Sequence, residues 1–195
     1  MTKVFVLMTT FFLTTIPVSA QDINFKVNLF QSTFTDEQWP GVNPRHQGYN
    51  VGFDVIINDG STLIMPGMYF QKTSLSPEKF EIGNPFKEFT DVKTIKIPLQ
   101  VGGNVFKNKF SALMLHGGMA ATYLLGTDEN VKLNEDDFND LRGSLYAGAT
   151  VRLLFFTVHV NYEYGLTRIY QSNGPSGLVD SSKEKTLSFG LGVYF

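Results

Sequence analysis

The chain has 195 residues, with 16 Lys and Arg against 18 Asp and Glu, and no cysteine. A net charge of −2 leaves no basic surplus for nucleic acid, and the lack of thiols excludes disulfides and thiolate metal centres. Hydrophobic residues make up 43%, yet no apolar run beyond residue 20 approaches the roughly 20 residues of a spanning helix. Any membrane crossing must therefore use strands closed on themselves, which leave no backbone polar group unpaired in lipid.

The chain opens with a short basic start, Met1-Thr2-Lys3, followed by an uncharged run from Val4 to Ile16. Val18-Ser19-Ala20 then offers a small-residue cleavage site before Gln21. This is the pattern of a secretory signal peptide, so residues 1–20 are expected to be removed. Residues 21–195 are expected to form one domain.

Eight strands are predicted, at 23–31, 48–57, 62–72, 92–104, 110–125, 142–152, 155–168 and 185–195. Strand one sets Phe25, Val27 and Leu29 against Asn24, Lys26 and Asn28. Strand two sets Val51, Phe53, Val55 and Ile57 against Asn50, Gly52, Asp54 and Ile56. The Asn58-Asp59-Gly60-Ser61 connection after it is a hairpin signal, because Asp-Gly readily takes positive φ. Strand three does not alternate cleanly through Ile64-Met65-Pro66-Gly67-Met68, which predicts a bulge. Strand four sets Ile95, Ile97, Leu99 and Val101 against Thr94, Lys96, Pro98, Gln100 and Gly102. Pro98 lacks a ladder donor, so a second bulge is expected there.

Strand five carries His116. Strand six runs from Arg142 to Arg152. Strand seven alternates most clearly, with Phe156, Val158, Val160, Tyr162, Tyr164 and Leu166 on one face. Thr157, His159, Asn161, Glu163, Gly165 and Thr167 form the other. The final strand sets Leu187, Phe189, Leu191, Val193 and Phe195 against Thr186, Ser188, Gly190, Gly192 and Tyr194.

The connections 32–47, 73–91, 126–141 and 169–184 are long, whereas 58–61, 105–109 and 153–154 are short. Strict alternation of the two kinds is the pattern of an all-β, eight-stranded antiparallel up-and-down transmembrane β-barrel, with long loops outside and tight turns in the periplasm. Strand eight is expected to close the barrel on strand one. On this topology Phe30, Tyr49, Phe70, Tyr123, Tyr162 and Tyr164 lie toward the outer interface, and Phe106, Phe110, Phe155, Phe156, Tyr194 and Phe195 toward the periplasmic one. Period two alone leaves both facings open. A lipocalin-like periplasmic binder would turn the apolar face in, and a membrane barrel would turn it out. Polar faces rich in Gly and small residues favour the second, since a narrow lumen packs side chains closely.

Three segments resemble the Bacteroidetes-type outer-membrane β-barrel family, often called PorT-like. Thr94-Ile95-Lys96-Ile97-Pro98-Leu99 is similar to its (L/I)-x-I-P-L strand. Asn161-Tyr162-Glu163-Tyr164-Gly165-Leu166-Thr167 is similar to its Y-x-Y-G-L-T strand, and Ser188 to Phe195 to its S-L-G-L-G-Y-x-F ending. Met65 to Lys72 resembles a fourth motif faintly, with Gly67 where the family usually has Glu. The resemblance implies a small exported barrel. The name-giving member is linked to type IX secretion, a role that membership alone does not transfer.

The candidate site residues follow from the polar faces. Lys26, Asp54, Lys96, Arg152, Glu163, His116 and His159 are expected to point into the lumen. An eight-stranded barrel is just wide enough for side chains to fill, so these charges are expected to pair as a structural plug. A narrow porin-like channel or gate lined by the same residues is the alternative. Phe189, Leu191, Val193 and Phe195 are expected to act as a carboxyl-terminal assembly signal. No Ser-His-Asp spacing is legible near His46, Asp36 and Glu37, so no catalytic residue, metal site or cofactor is expected. The acidic loop, which includes Asp128, Glu129, Glu135, Asp136, Asp137 and Asp140, lacks the glycine of an EF-hand loop and reads as a solvated surface, with weak divalent-cation binding or partner docking as the alternative. The expected partners are outer-membrane lipid and lipopolysaccharide, the barrel assembly machinery and a secretion-system or extracellular protein, with no nucleic acid. The expected role is structural or interactive, through four outer loops.

Overall fold

A computed structural model describes residues 21–34, 46–59, 62–75, 90–127, 139–168 and 183–195. The leader 1–20, Asp36, Glu37, the side chain of His46 and the acidic residues 128–137 lie outside the described residues. Eight strands run in order: β1 (Gln21–Phe34), β2 (His46–Asp59), β3 (Thr62–Leu75), β4 (Thr90–Lys107), β5 (Ser111–Thr127), β6 (Leu141–Leu153), β7 (Phe156–Gly165) and β8 (Glu184–Tyr194). Each pairs antiparallel with its neighbour in sequence, and β8 pairs with β1 to close an up-and-down transmembrane-type barrel. No helix occurs among the described residues.

Most strands outrun their predicted limits at the long-loop end. β4 and β5 span 18 and 17 residues, whereas roughly 9–11 cross a bilayer. The ladder continues past the apolar stretch because antiparallel neighbours keep satisfying each other's backbone groups. β7 is the exception. It stops at Gly165, and the backbone N–H groups of Leu166 and Thr167 bend onto the Gly143 carbonyl instead.

The turn end is tight. Asp59 pairs with Thr62 across the first hairpin. At the second, the Asn108 side-chain oxygen accepts from the backbone N–H groups of Phe110 and Ser111 at 2.9 and 2.7 Å, an Asx-type turn. The third is a two-residue turn at Leu154-Phe155, with Leu154 at φ 58°.

Neither expected bulge is present. Asp54 pairs with Gly67 and Ile57 with Ile64, so the register is the same on both sides of Pro66. Pro98 likewise stays in register, opposite Ala120. It is tolerated because Gly67 faces it from β3, where a Cβ would stand 3.2 Å from the proline ring. The register shifts of β4 against β5 fall between Lys93 and Thr94 and between Asn104 and Phe106.

Strand three does alternate. Leu63, Met65, Tyr69, Gln71 and Thr73 turn inward, while Ile64, Met68 and Phe70 turn out. Its pattern is hard to read because the lumen at that height is apolar. Leu63 and Met65 join Ile56 and Met114 in a buried cluster inside the turn end.

Phe30 also departs from expectation. It is buried in the lumen rather than placed in an outer aromatic girdle. It continues the inward row of Asn24, Lys26 and Asn28, and its ring lies against Gly48, where a Cβ would come within 2.4 Å. Tyr194 also points inward. Tyr49, Phe70, Tyr123 and Tyr162 are exposed on the barrel's outside toward the loop end, and Phe106, Phe110, Phe155, Phe156 and Phe195 toward the turn end.

Candidate functional site

The lumen is the candidate site. Apolar residues are exposed on the outside of the barrel, while the buried residues are mostly Asn, Thr, Ser, Gln, Lys, Asp and His. This is the reverse of a lipocalin-like binder. Among the described residues the interior contains three oppositely charged pairs, stacked above a tyrosine-centred group at the turn end.

At the turn end Tyr194 donates its hydroxyl to Asp22, and the Arg152 guanidinium lies 4.6 Å over the Tyr194 ring. The apolar cluster of Ile56, Leu63, Met65 and Met114 packs beside this group. Above it, Lys26 Nζ stands 2.6 Å from Asp54 Oδ2, with both side chains almost wholly buried. Asp54 is backed by Gly67, which keeps the space clear. Next, Lys96 Nζ donates to Glu163 Oε2, and Ser144 Oγ donates to Glu163 Oε1 at 2.5 Å. Lys96 also lies 5.0 Å from the Tyr146 ring centre. Nearest the loops, Arg142 reaches Glu184 at 3.5 Å.

Neutral groups fill the gaps. Asn28 donates to Asn50 at 2.5 Å, which leaves its Oδ1 to accept from His159 Nε2. Thr157 donates to Asn24 at 3.0 Å, and His116 Nε2 meets Thr150 Oγ1 at 3.2 Å. The two histidines sit on β5 and β7 and have separate partners. Among the described residues there is no cluster of three or more His, Cys, Asp or Glu able to hold a metal.

The lumen is closely filled. Two cavities lined by described residues hold about 30 Å³ and about 10 Å³, room for about two waters and one. The smaller lies mid-barrel between Asn28, Asn50, Tyr69 and Asn161. The larger is a cup at the loop end, with Glu163 and Ser144 at its floor and Arg142, Glu184, Thr167 and Thr186 around it.

All seven charged or histidine positions expected in the lumen face inward. The structure joins Lys26 to Asp54 and Lys96 to Glu163, and gives Arg152, His116 and His159 other neighbours. Sequence reasoning missed Asp22, Arg142 and Glu184 as members of this network. Their even spacing from Asn24, Ser144 and Thr186 was the available signal, but each lies at or beyond a predicted strand end. Of the carboxyl-terminal residues, Phe189, Leu191 and Phe195 are exposed on the outside and Val193 is half-buried. Phe195 exchanges backbone hydrogen bonds of 3.0 and 2.9 Å with Ile23 at the closing seam.

No family model matches the chain, and no curated protein matches it. The PorT-like resemblance thus rests on the quoted motifs alone. Solved structures do match. Neisserial surface protein A superposes with a TM-score of 0.54 over 91% of this chain and 100% of its own, at 12% identity. The chain has the fold of a small outer-membrane β-barrel. At that identity the likeness extends to the fold alone. Ail, the attachment invasion locus protein of Yersinia pestis, shares 15% identity over 91% of this chain and 100% of its own, with a TM-score of 0.46. PagL, described as an outer-membrane enzyme, shares 10% over 88% and 98%, with a TM-score of 0.47. These neighbours are integral outer-membrane barrels, and the shape by itself speaks neither for nor against catalysis.

Proposed function

We propose that this protein is an integral outer-membrane barrel, exported by a cleaved leader at 1–20, that acts as a structural or interaction protein through its four long loops. The carrying observation is the lumen between the described residues, with its three ion pairs, its apolar cluster at the turn end and cavities of about 30 and 10 Å³. Such an interior suits a rigid stake that holds loops at the cell surface. The apolar exterior supports a lipid setting, because soluble proteins rarely expose contiguous apolar patches beyond a few hundred Å². The long-loop end then faces outward and the turn end faces the periplasm. Lipid and lipopolysaccharide surround the barrel, and the assembly machinery engages the strand ending at Phe195. The functional residues of this reading are Lys26, Asp54, Lys96, Glu163, Arg152, His116 and His159 as lumen fillers. No catalytic group is assigned.

Membrane fractionation together with heat-modifiable gel migration tests the location. Planar-bilayer recording tests the plug. The full barrel should give no steps above background, and Glu163→Gln should lower its stability without opening a conductance. Single-channel steps in the parent that change size in Glu163→Gln would instead establish the narrow porin-like channel.

A further inference from the structure

The three hairpin tips at the turn end do not follow one chemistry. The first carries Asp59-Gly60 and the second Asn108, residues suited to turns in water. The third is Leu154-Phe155, with both side chains more than half exposed. Leu154 has φ 58°, and among the described residues it is the one non-glycine residue with a positive φ. Phe155 does not share that sign, so the turn has the type II′ pattern, whose first position normally holds glycine. A leucine there costs both backbone strain and exposed apolar surface. Neighbouring strands hold the turn in shape. The Leu154 N–H donates to the Phe110 carbonyl and the Tyr194 N–H to the Phe155 carbonyl, each at 2.7 Å.

The first of these bonds sets the Leu154-Phe155 tip beside the β4–β5 turn. Phe106, Phe110, Leu153, Leu154, Phe155 and Phe156 are all more than half exposed there. Apolar surface thus runs across both tips instead of stopping where the strands end. Lys107 and Lys109 border it, both exposed, with Lys109 Nζ 5.7 Å from the Phe110 ring centre. Among the described residues neither lysine has an anionic partner. Asp22, at the same end, is taken up by the Tyr194 hydroxyl. Apolar side chains bordered by lysines match the interface of an anionic lipid leaflet, where acyl chains take the rings and headgroups take the ammonium groups. A turn in water gains nothing from this composition, and a zwitterionic headgroup layer leaves the lysines uncompensated.

We infer that the β4–β5 and β6–β7 turns form a foot that docks into anionic phospholipid on the turn side of the membrane, with Leu154 and Phe155 among the chains and Lys107 and Lys109 at the headgroups. This rests on the membrane orientation proposed above. The probe is phosphatidylglycerol, offered to the full barrel in detergent micelles against phosphatidylcholine of the same chains and counted by native mass spectrometry. The barrel should retain the anionic lipid at least about fivefold better. Lys107→Gln/Lys109→Gln should lose most of that preference, and Lys107→Arg/Lys109→Arg should keep it. Leu154→Gly should retain at least about threefold less of the anionic lipid while unfolding at no lower urea concentration, because glycine accepts the positive φ. No preference in the parent, full preference in the glutamine variant, unchanged retention or a lower urea midpoint in Leu154→Gly, or displacement of the lipid by millimolar inorganic phosphate would each overturn the foot. So would a dimer of the parent that Leu154→Gly abolishes, which would assign the surface to a second copy of the chain. Unchanged heat-modifiable migration of the variants shows that the barrel still forms. Failure of the parent to fractionate with membranes would overturn the orientation instead, a separate result.

Discussion

The Lys26–Asp54 pair is the sharpest test of what the lumen charges do. At 2.6 Å the two groups attract by about 6 kcal/mol at an effective dielectric of 20. That attraction offsets a desolvation penalty of several kcal/mol for each ion. Asp54→Asn removes the countercharge but leaves Lys26 buried, and Glu163 is already engaged by Lys96 and Ser144. The expected loss is about 3–5 kcal/mol. Lys26→Met should cost a similar amount, by stranding the carboxylate against Gly67. The double variant strands neither charge and keeps both side-chain lengths, so it should lie within about 2 kcal/mol of the parent. The coupling energy of the cycle should therefore be about 4 kcal/mol or more. The assay is urea unfolding of the barrel in micelles, read by heat-modifiable migration. With a slope near 2 kcal/mol/M, each single variant shifts the midpoint by about 2 M, and the double variant largely restores it. Single variants within 1 kcal/mol of the parent, or a double variant whose cost equals the sum of the singles, would refute the paired plug.

Other predictions follow from the packing. Gly190→Ala would place its Cβ 2.0 Å from Asn28 Oδ1 and 2.6 Å from the Val27 carbonyl. It should cost about 1–3 kcal/mol in the same urea titration, whereas Gly143→Ala, where a Cβ meets nothing within 4 Å, should be close to neutral. Leu99→Arg puts a charge on the exposed outer face of β4, mid-strand, and should cost about 2–4 kcal/mol in lipid vesicles; a neutral result would argue against a lipid-facing β4. Deleting Phe195 removes two backbone hydrogen bonds to Ile23 and the edge-on contact of its ring with Phe25, 6.2 Å between centroids. The fraction of barrel recovered in membranes should fall several-fold, and normal recovery would refute an assembly role for that residue.

The sequence alone determined the strand count, the alternation of long and short connections and the inward or outward facing of nearly every polar residue. Period two is a local property, and the loop lengths settle the order of strands before any contact is known. It also placed Lys26, Asp54, Lys96 and Glu163 on lumen faces. What it could not determine was pairing around the circle. Lys96 finds Glu163 from three strands away, across a lumen whose width depends on closure, and no spacing along the chain encodes that distance. The bulge expected in strand three follows from the broken alternation of Ile64 to Met68, where the lumen face is apolar, and the one at Pro98 from a proline considered without its cross-strand neighbour. Gly67 lies against Pro98, and the register is the same on either side of both prolines. Phe30 was assigned by height and hydrophobicity, yet strand parity carries it inward, where Gly48 makes room for its ring. Tertiary structure decided these points because each depends on the volume left by a residue on another strand.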